Sequence, residues 1–187
     1  AGVGVGDFDN DGLDDLFFAG NLVDDKIYKN LGNLKFQDKT PSSGIVNDNS
    51  WSTGVTVADV NNDGLLDIYV SCELYDDQPK LRTNKLYINK GNFKFDELAA
   101  KWNVDVDRRT RHAVFFDYNK DGLLDLYLLN HPPNTGNFSP FLGTDMKLPE
   151  YNLQLFENKE GFFEDVTAKA GLDRSGFPNA AVIGDFN

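Results

Sequence analysis

Apolar residues in this chain gather in short runs between clusters of Asp, Asn and Gly, without the spacing of amphipathic helices. Three runs, LFFA at 16–19, IYV at 68–70 and LYLL at 126–129, are apolar on both faces. A strand with one wet face alternates, so these runs predict strands covered on both sides. Each is preceded by a strand-like run (GVGVGD, GVTVAD, HAVFFD), and a fourth such run, AAVIGD, stands near the end. Each is followed by a hairpin signature of strand, Asn/Gly turn and strand: KIYKNLGNLKFQD at 26–38, KLYINKGNFKFDE at 85–97, QLFENKEGFFED at 154–165.

The repeat therefore holds four strands. They are expected near 2–7, 15–19, 26–30 and 35–38, then 54–59, 67–71, 85–89 and 94–97, then 112–117, 125–129, 153–158 and 162–165. Four-stranded antiparallel units stacked face to face would cover the second strands, so the pattern predicts an all-β fold of the β-propeller type. Blade 1 covers about 1–46, blade 2 about 50–104 and blade 3 about 108–172, with the start of a fourth at about 178–187. A stack of three leaves two faces open, to be met by the remainder of the propeller or a neighbouring subunit. FDELAAKW and VTAKAGL are expected to form single helical turns between blades. The chain opens on AGVGVGD and closes on AAVIGDFN, and it reads as a window on a longer one.

Between the first and second strands of each repeat lies the same loop: DFDNDGLDD from Asp7, DVNNDGLLD from Asp59, DYNKDGLLD from Asp117, with a truncated copy, DFN, from Asp185. Positions 1, 3, 5 and 9 carry a carboxylate or carboxamide: Asp7, Asp9, Asp11, Asp15; Asp59, Asn61, Asp63, Asp67; Asp117, Asn119, Asp121, Asp125; and Asp185 and Asn187 in the truncated copy. Glycine at position 6 permits a sharp turn with positive φ, which brings in the position-7 carbonyls of Leu13, Leu65 and Leu123. Oxygen donors alternating along a tight loop suit a hard cation of high coordination number, namely calcium, in three complete sites and one truncated. An EF-hand would need glutamate at position 12 and flanking helices; position 12 is Phe18, Val70 and Leu128 here, and strands follow. The first loop alone has four ligand carboxylates, so a count within the loops ranks it tightest.

The formal charge of −12 is largely a ligand inventory, since three calcium ions (+6) would halve it. It argues against nucleic acid and anionic membrane surfaces as partners. No apolar run approaches the roughly 18 residues of a membrane-spanning helix. The single cysteine, Cys72, excludes an internal disulfide and reads as a buried thiol.

Nearly all length variation falls between the second and third strands, at 71–84 and 130–152. In an antiparallel blade those loops share a face with the blade-to-blade connections, opposite the calcium loops. Variable loops on a rigid scaffold are where recognition usually resides. The candidate partner face is Trp51, Tyr75, Arg82, Arg109, His112, Phe138, Phe141 and Tyr151, rich in the aromatic and arginine side chains of binding hot spots.

The loops resemble the FG-GAP/VCBS repeats of integrin-α-type propellers. The longer runs WSTGVTVADVNNDGLLDIYVS, NKLYINKGNFKFDELAAKW and FFDYNKDGLLDLYLLNH resemble the cartilage-acidic-protein-like (ASPIC/UnbV) group, common among bacterial surface and secreted proteins. The resemblance implies a propeller, usually seven-bladed, outside the cytoplasm, at the outer membrane or secreted, with calcium ligands at loop positions 1, 3, 5, 7 and 9. It lends no catalytic motif.

Three functions are compatible with these residues. The first is a calcium-stabilised, non-enzymatic surface module that binds a protein or glycan. The second is a propeller-type polysaccharide lyase or other carbohydrate-active enzyme, with Arg108, Arg109, Arg111, His112 and His131 serving an anionic sugar, although no acid/base pair declares itself. The third is a structural spacer in a larger surface protein. In the bland reading, RRTRH (108–112) is a solvated charge run pairing nearby aspartates.

Overall fold

The computed structural model describes residues 2–21, 23–46, 48–74, 77–132, 153–173, 178 and 180–184. Its first sheet runs β1 (Val3–Gly6), β2 (Asp15–Phe18), β3 (Lys26–Asn30), β4 (Phe36–Asp38). A four-residue helical turn, α1 (Thr40–Ser43), leads to the second sheet of β5 (Trp51–Ala58), β6 (Asp67–Glu73), β7 (Lys85–Asn89) and β8 (Phe95–Glu97). The third holds β9 (Thr110–Phe116), β10 (Asp125–Asn130), β11 (Gln154–Asn158) and β12 (Phe163–Asp165). All neighbours are antiparallel and follow chain order, so each repeat is one up-and-down sheet. The protein is all-β, with three four-stranded sheets of propeller-blade form.

The strands lie where the patterning places them, and the first two strands of the second and third sheets run longer, β6 to Glu73 against an expected 71 and β10 to Asn130 against 129. β5 starts at Trp51 against an expected 54, and β9 at Thr110 against 112. Both pass a register shift in their pairing with the second strand, between Ser52 and Gly54 and between Leu129 and Asn130. An irregular pair reads as a strand end in the sequence, although the ladder continues beyond it. FDELAAKW and VTAKAGL make single turns of helical hydrogen bonding, Trp102 N–H to Leu98 O and Ala170 N–H to Val166 O, each 2.9 Å. α1, unexpected from the sequence, occupies the corresponding place in the first repeat. Residues 178 and 180–184 form no strand, since a strand is stabilised by a ladder and no described segment pairs with them.

Stacking explains the doubly apolar second strands. Phe8, Phe17, Ile27 and Ile45 of the first repeat close on Ile68, Val70, Cys72 and Tyr87 of the second. Tyr69, Leu86, Ile88 and Trp102 point the other way, against Leu126, Leu128, Phe156 and Phe163 of the third. β6 and β7 are consequently buried at every residue. β1 solves a different problem. Its glycines face β5, and a Cβ at Gly4 would lie 2.6 Å from Val55 Cγ1 and 2.9 Å from Val57 Cγ2. The first strands of adjacent blades converge there, which only residues without a side chain permit. The valines between them, Val3 and Val5, are 51% and 54% exposed on the open outer face of the first blade. Among the described residues no helix is long and apolar enough to cross a membrane.

Candidate metal loops and the opposite face

Each 1–2 loop folds around its own position-1 aspartate. Asp7 accepts the amides of Asp11 (3.0 Å) and Gly12 (2.7 Å), Asp59 those of Asp63 (3.1 Å) and Gly64 (2.8 Å), and Asp117 those of Asp121 (3.1 Å) and Gly122 (2.9 Å). The turn is left-handed at position 6, with φ of 87° at Gly12, 82° at Gly64 and 90° at Gly122. It is also left-handed at position 4, where Asn10, Asn62 and Lys120 have φ of 58°, 56° and 63°.

The position-9 aspartate has a second task. Asp15, Asp67 and Asp125 are buried, and each takes one amide from loop position 2 and one from the end of the third strand. The pairs are Phe8 (2.9 Å) and Asn30 (2.7 Å) on Asp15, Val60 (3.0 Å) and Asn89 (2.8 Å) on Asp67, and Tyr118 (2.9 Å) and Asn158 (2.8 Å) on Asp125. Burial pushes all three carboxyls up, that of Asp67 to about 7, against the pull of those amides.

The asparagine ending the third strand was not singled out in the sequence, although Asn30, Asn89 and Asn158 recur at the same place in every hairpin. Asn89 Nδ2 donates to Leu66 O (3.0 Å) in its own blade and to Phe8 O (2.9 Å) in the preceding one. Asn158 Nδ2 does the same with Leu124 O (3.0 Å) and Val60 O (2.9 Å). Among the described residues Asn30 Nδ2 reaches its own blade alone, through Asp14 O at 2.8 Å. Asn89→Ala is therefore expected to destabilise the fold by about 1–3 kcal/mol, by leaving buried carbonyls unpaired, and Asn30→Ala by distinctly less. Urea denaturation of both variants decides it; equal losses would mean the link between blades contributes nothing. A further bridge joins the loops themselves, Asn10 Nδ2 to Gly64 O at 3.1 Å.

In the first loop Asp7, Asp9 and Asp15 bring one carboxylate oxygen each within 4.8 Å of one another, an acidic cluster that can hold a metal. Asp9 Oδ1 is buried there and has no hydrogen-bond partner among the described residues, so this oxygen fits a cation. Asp9 Oδ2 accepts from Lys29 Nζ, which also donates to Asp11 Oδ2 at 2.7 Å. Hydrogen bonds to Asp11 and Asp9 raise the Lys29 pKa, and the Lys29 bond followed by the Leu13 amide holds Asp11 below the carboxylate range. In the other loops the position-3 asparagine bonds position 5, Asn61 Nδ2 to Asp63 Oδ2 at 2.9 Å and Asn119 Nδ2 to Asp121 Oδ2 at 2.8 Å. Asp185 and Asn187 of the truncated copy lie outside the described residues.

Among the described residues, the 2–3 loop of the first repeat and the connection into the second meet on the opposite face. Ser52 N–H donates to Gly20 O at 3.0 Å, and buried Asp25 accepts Gly20 N–H at 2.7 Å and the Ser52 hydroxyl at 3.2 Å. A cavity of about 210 Å³ opens beside them, lined by Asn21, Asp24, Asp25, Asp48, Ser50 and Lys85 among others. Lys85 is almost wholly buried and donates to Asp48 Oδ1 at 2.8 Å. Burial raises the Asp25 pKa.

Of the residues expected on this face, Trp51 pairs in register with Glu73 and is half-buried. Arg82 donates to Asp107 O at 2.5 Å, and His112 lies half-buried opposite Leu129. Arg109 is a correction: it is buried, not displayed, because Glu73 binds it at 3.4 Å and Arg111 at 2.7 Å. The charge run thus pairs a glutamate on β6 that the sequence did not suggest. Tyr75, Phe138, Phe141 and Tyr151 lie outside the described residues.

No curated protein matches the chain. A family model does match, from the first residue of the first loop into β6 of the second repeat. The three sheets and their recurring loops agree with it: residues 7–70 are an FG-GAP-like repeat.

Proposed function

We propose that this is a calcium-stabilised, non-enzymatic binding module of an extracellular or cell-surface protein, recognising a protein or glycan through the face opposite the loops. The observation that carries the reading is this division of labour. One face holds short, acidic loops of constant length, tied to the neighbouring blades by Asn89 and Asn158. The other holds a polar cavity of about 210 Å³ between the 2–3 loop of the first repeat and the connection to the second. That volume is below the roughly 300–1,000 Å³ of drug-sized pockets and suits one sugar ring or one side chain. Asp24, Asp25, Asp48 and Lys85 offer it both acceptors and donors.

Calcium is supported by the oxygen donor set and by FG-GAP repeats often binding it. In all three loops positions 1, 3, 5 and 9 would hold the ion with the position-7 carbonyl, and bound calcium would neutralise carboxylates that otherwise repel one another. An external location is supported by the resemblance to surface and secreted propellers. It also agrees with Cys72, a buried thiol whose pKa burial pushes up to about 12, which leaves it inert in an oxidising compartment.

A glycan array probed in calcium, in EDTA, and with Ser50→Trp, which plugs the cavity, tests this reading. Binding that both EDTA and the plug abolish is the expected result. Binding that survives the plug moves the site elsewhere, and a silent array excludes the glycan arm in favour of a protein partner.

A further inference from the structure

The count of carboxylates within the loops ranks the first loop tightest for calcium, because Asp9 stands where the others have Asn61 and Asn119. The third strand changes that ranking. The residue before its terminal asparagine is Lys29, Ile88 or Glu157 in the three blades. Lys29 reaches the oxygens of loop positions 3 and 5, Asp9 Oδ2 and Asp11 Oδ2. Its ammonium also lies 5.6 Å from the centre of the Phe93 ring, on the hairpin of the second blade, so it is held from two sides. At the same two positions the second blade has the uncharged Asn61 and Ile88, and the third has Asn119 and a Glu157 that Lys159 pairs at 2.5 Å, so only in the first does a cation sit on the loop's own oxygens among the described residues. Glu157 stands at the edge of the third loop, where Asn119 Nδ2 donates to the same oxygen, Oε1, at 3.2 Å.

We propose that Lys29 is a tethered counter-cation of the first loop: it neutralises the carboxylate that sets this loop apart and competes with calcium for two of its oxygens. The first loop is then the one that keeps its shape without metal, and it binds calcium most weakly of the three. The ranking rests on the reading of the loops as calcium sites; the shape-keeping does not.

The experiment uses the whole chain with Lys29→Met and with Lys29→Met combined with Asp9→Asn. Melting in EDTA is expected to fall for the single variant, where Asp9 and Asp11 face each other without the ammonium, and to recover in the double. A single variant that melts like the wild type overturns the proposal. Calorimetric titration with calcium chloride should show the weakest site tightened by about tenfold in Lys29→Met, the order expected for removing one adjacent positive charge. A weakest site that is unchanged or lost overturns the competition. Should the wild type take up no calcium at any loop, the calcium reading fails, while the EDTA melts still decide whether Lys29 is the counter-cation.

Discussion

Removing calcium is expected to lower the melting temperature of this chain by about 5–10 °C for each loop kept near a hundredfold excess over its dissociation constant. An ion that binds only the folded state stabilises it by about 2.7 kcal/mol under that condition, and in a domain of this size each kcal/mol moves the midpoint by about 2–4 °C. The loops are built for such an effect, since the amides of Gly12, Gly64 and Gly122 orient the position-1 carboxylates of Asp7, Asp59 and Asp117. Magnesium at the same concentration should recover little, because it requires a small octahedral shell that a loop of alternating oxygens does not supply. Circular-dichroism melts in calcium, in magnesium and after verified metal removal measure it, and superimposable curves would remove calcium from the account of stability.

The second large effect is Asp67→Ala, expected to cost about 3–5 kcal/mol, because two buried amides lose their only described acceptor at once. Those amides are Val60 N–H, which shapes the loop, and Asn89 N–H, which anchors β7 to it. Asp67→Asn separates the two duties of the side chain. Its amide oxygen keeps one acceptor and removes a carboxylate whose burial already opposes ionisation. Without metal, Asp67→Asn should therefore be much milder than Asp67→Ala, whereas in saturating calcium both should fall well below the wild type. Guanidinium denaturation with and without calcium reads both conditions. If the asparagine variant is as damaged as alanine in EDTA, the bracket of two amides is not what Asp67 provides.

Much of the candidate site was legible because its determinants are local. Asp at positions 1 and 9 and Gly at position 6 act on amides and torsions within one nine-residue loop, and the same solution is written three times. The repeat also held a signal that was passed over, the asparagine at the end of every third strand. Glu73 offered no such signal, since it does not recur in the other repeats, and its role depends on β9 lying beside β6. Arg109 consequently read as a surface residue when it is a buried ion-pair partner.

The sequence by itself determined the strand order, the recurring loop turn and the face-to-face stacking. Side-chain alternation, turn chemistry and runs apolar on both faces are short-range properties that survive without knowledge of neighbours. Only the tertiary structure decided which charges meet. Asn89 and Phe8 stand 81 residues apart, and Lys29 and Asp9 stand 20 apart. The first pair meets because blades stack, the second because the third strand ends beside the 1–2 loop. A lysine on a strand has many carboxylates within reach of its flexible stem, and no periodicity in the chain distinguishes among them. The Phe93 ring of the next blade, 5.6 Å from the ammonium, and the placing of one blade on the next make the choice.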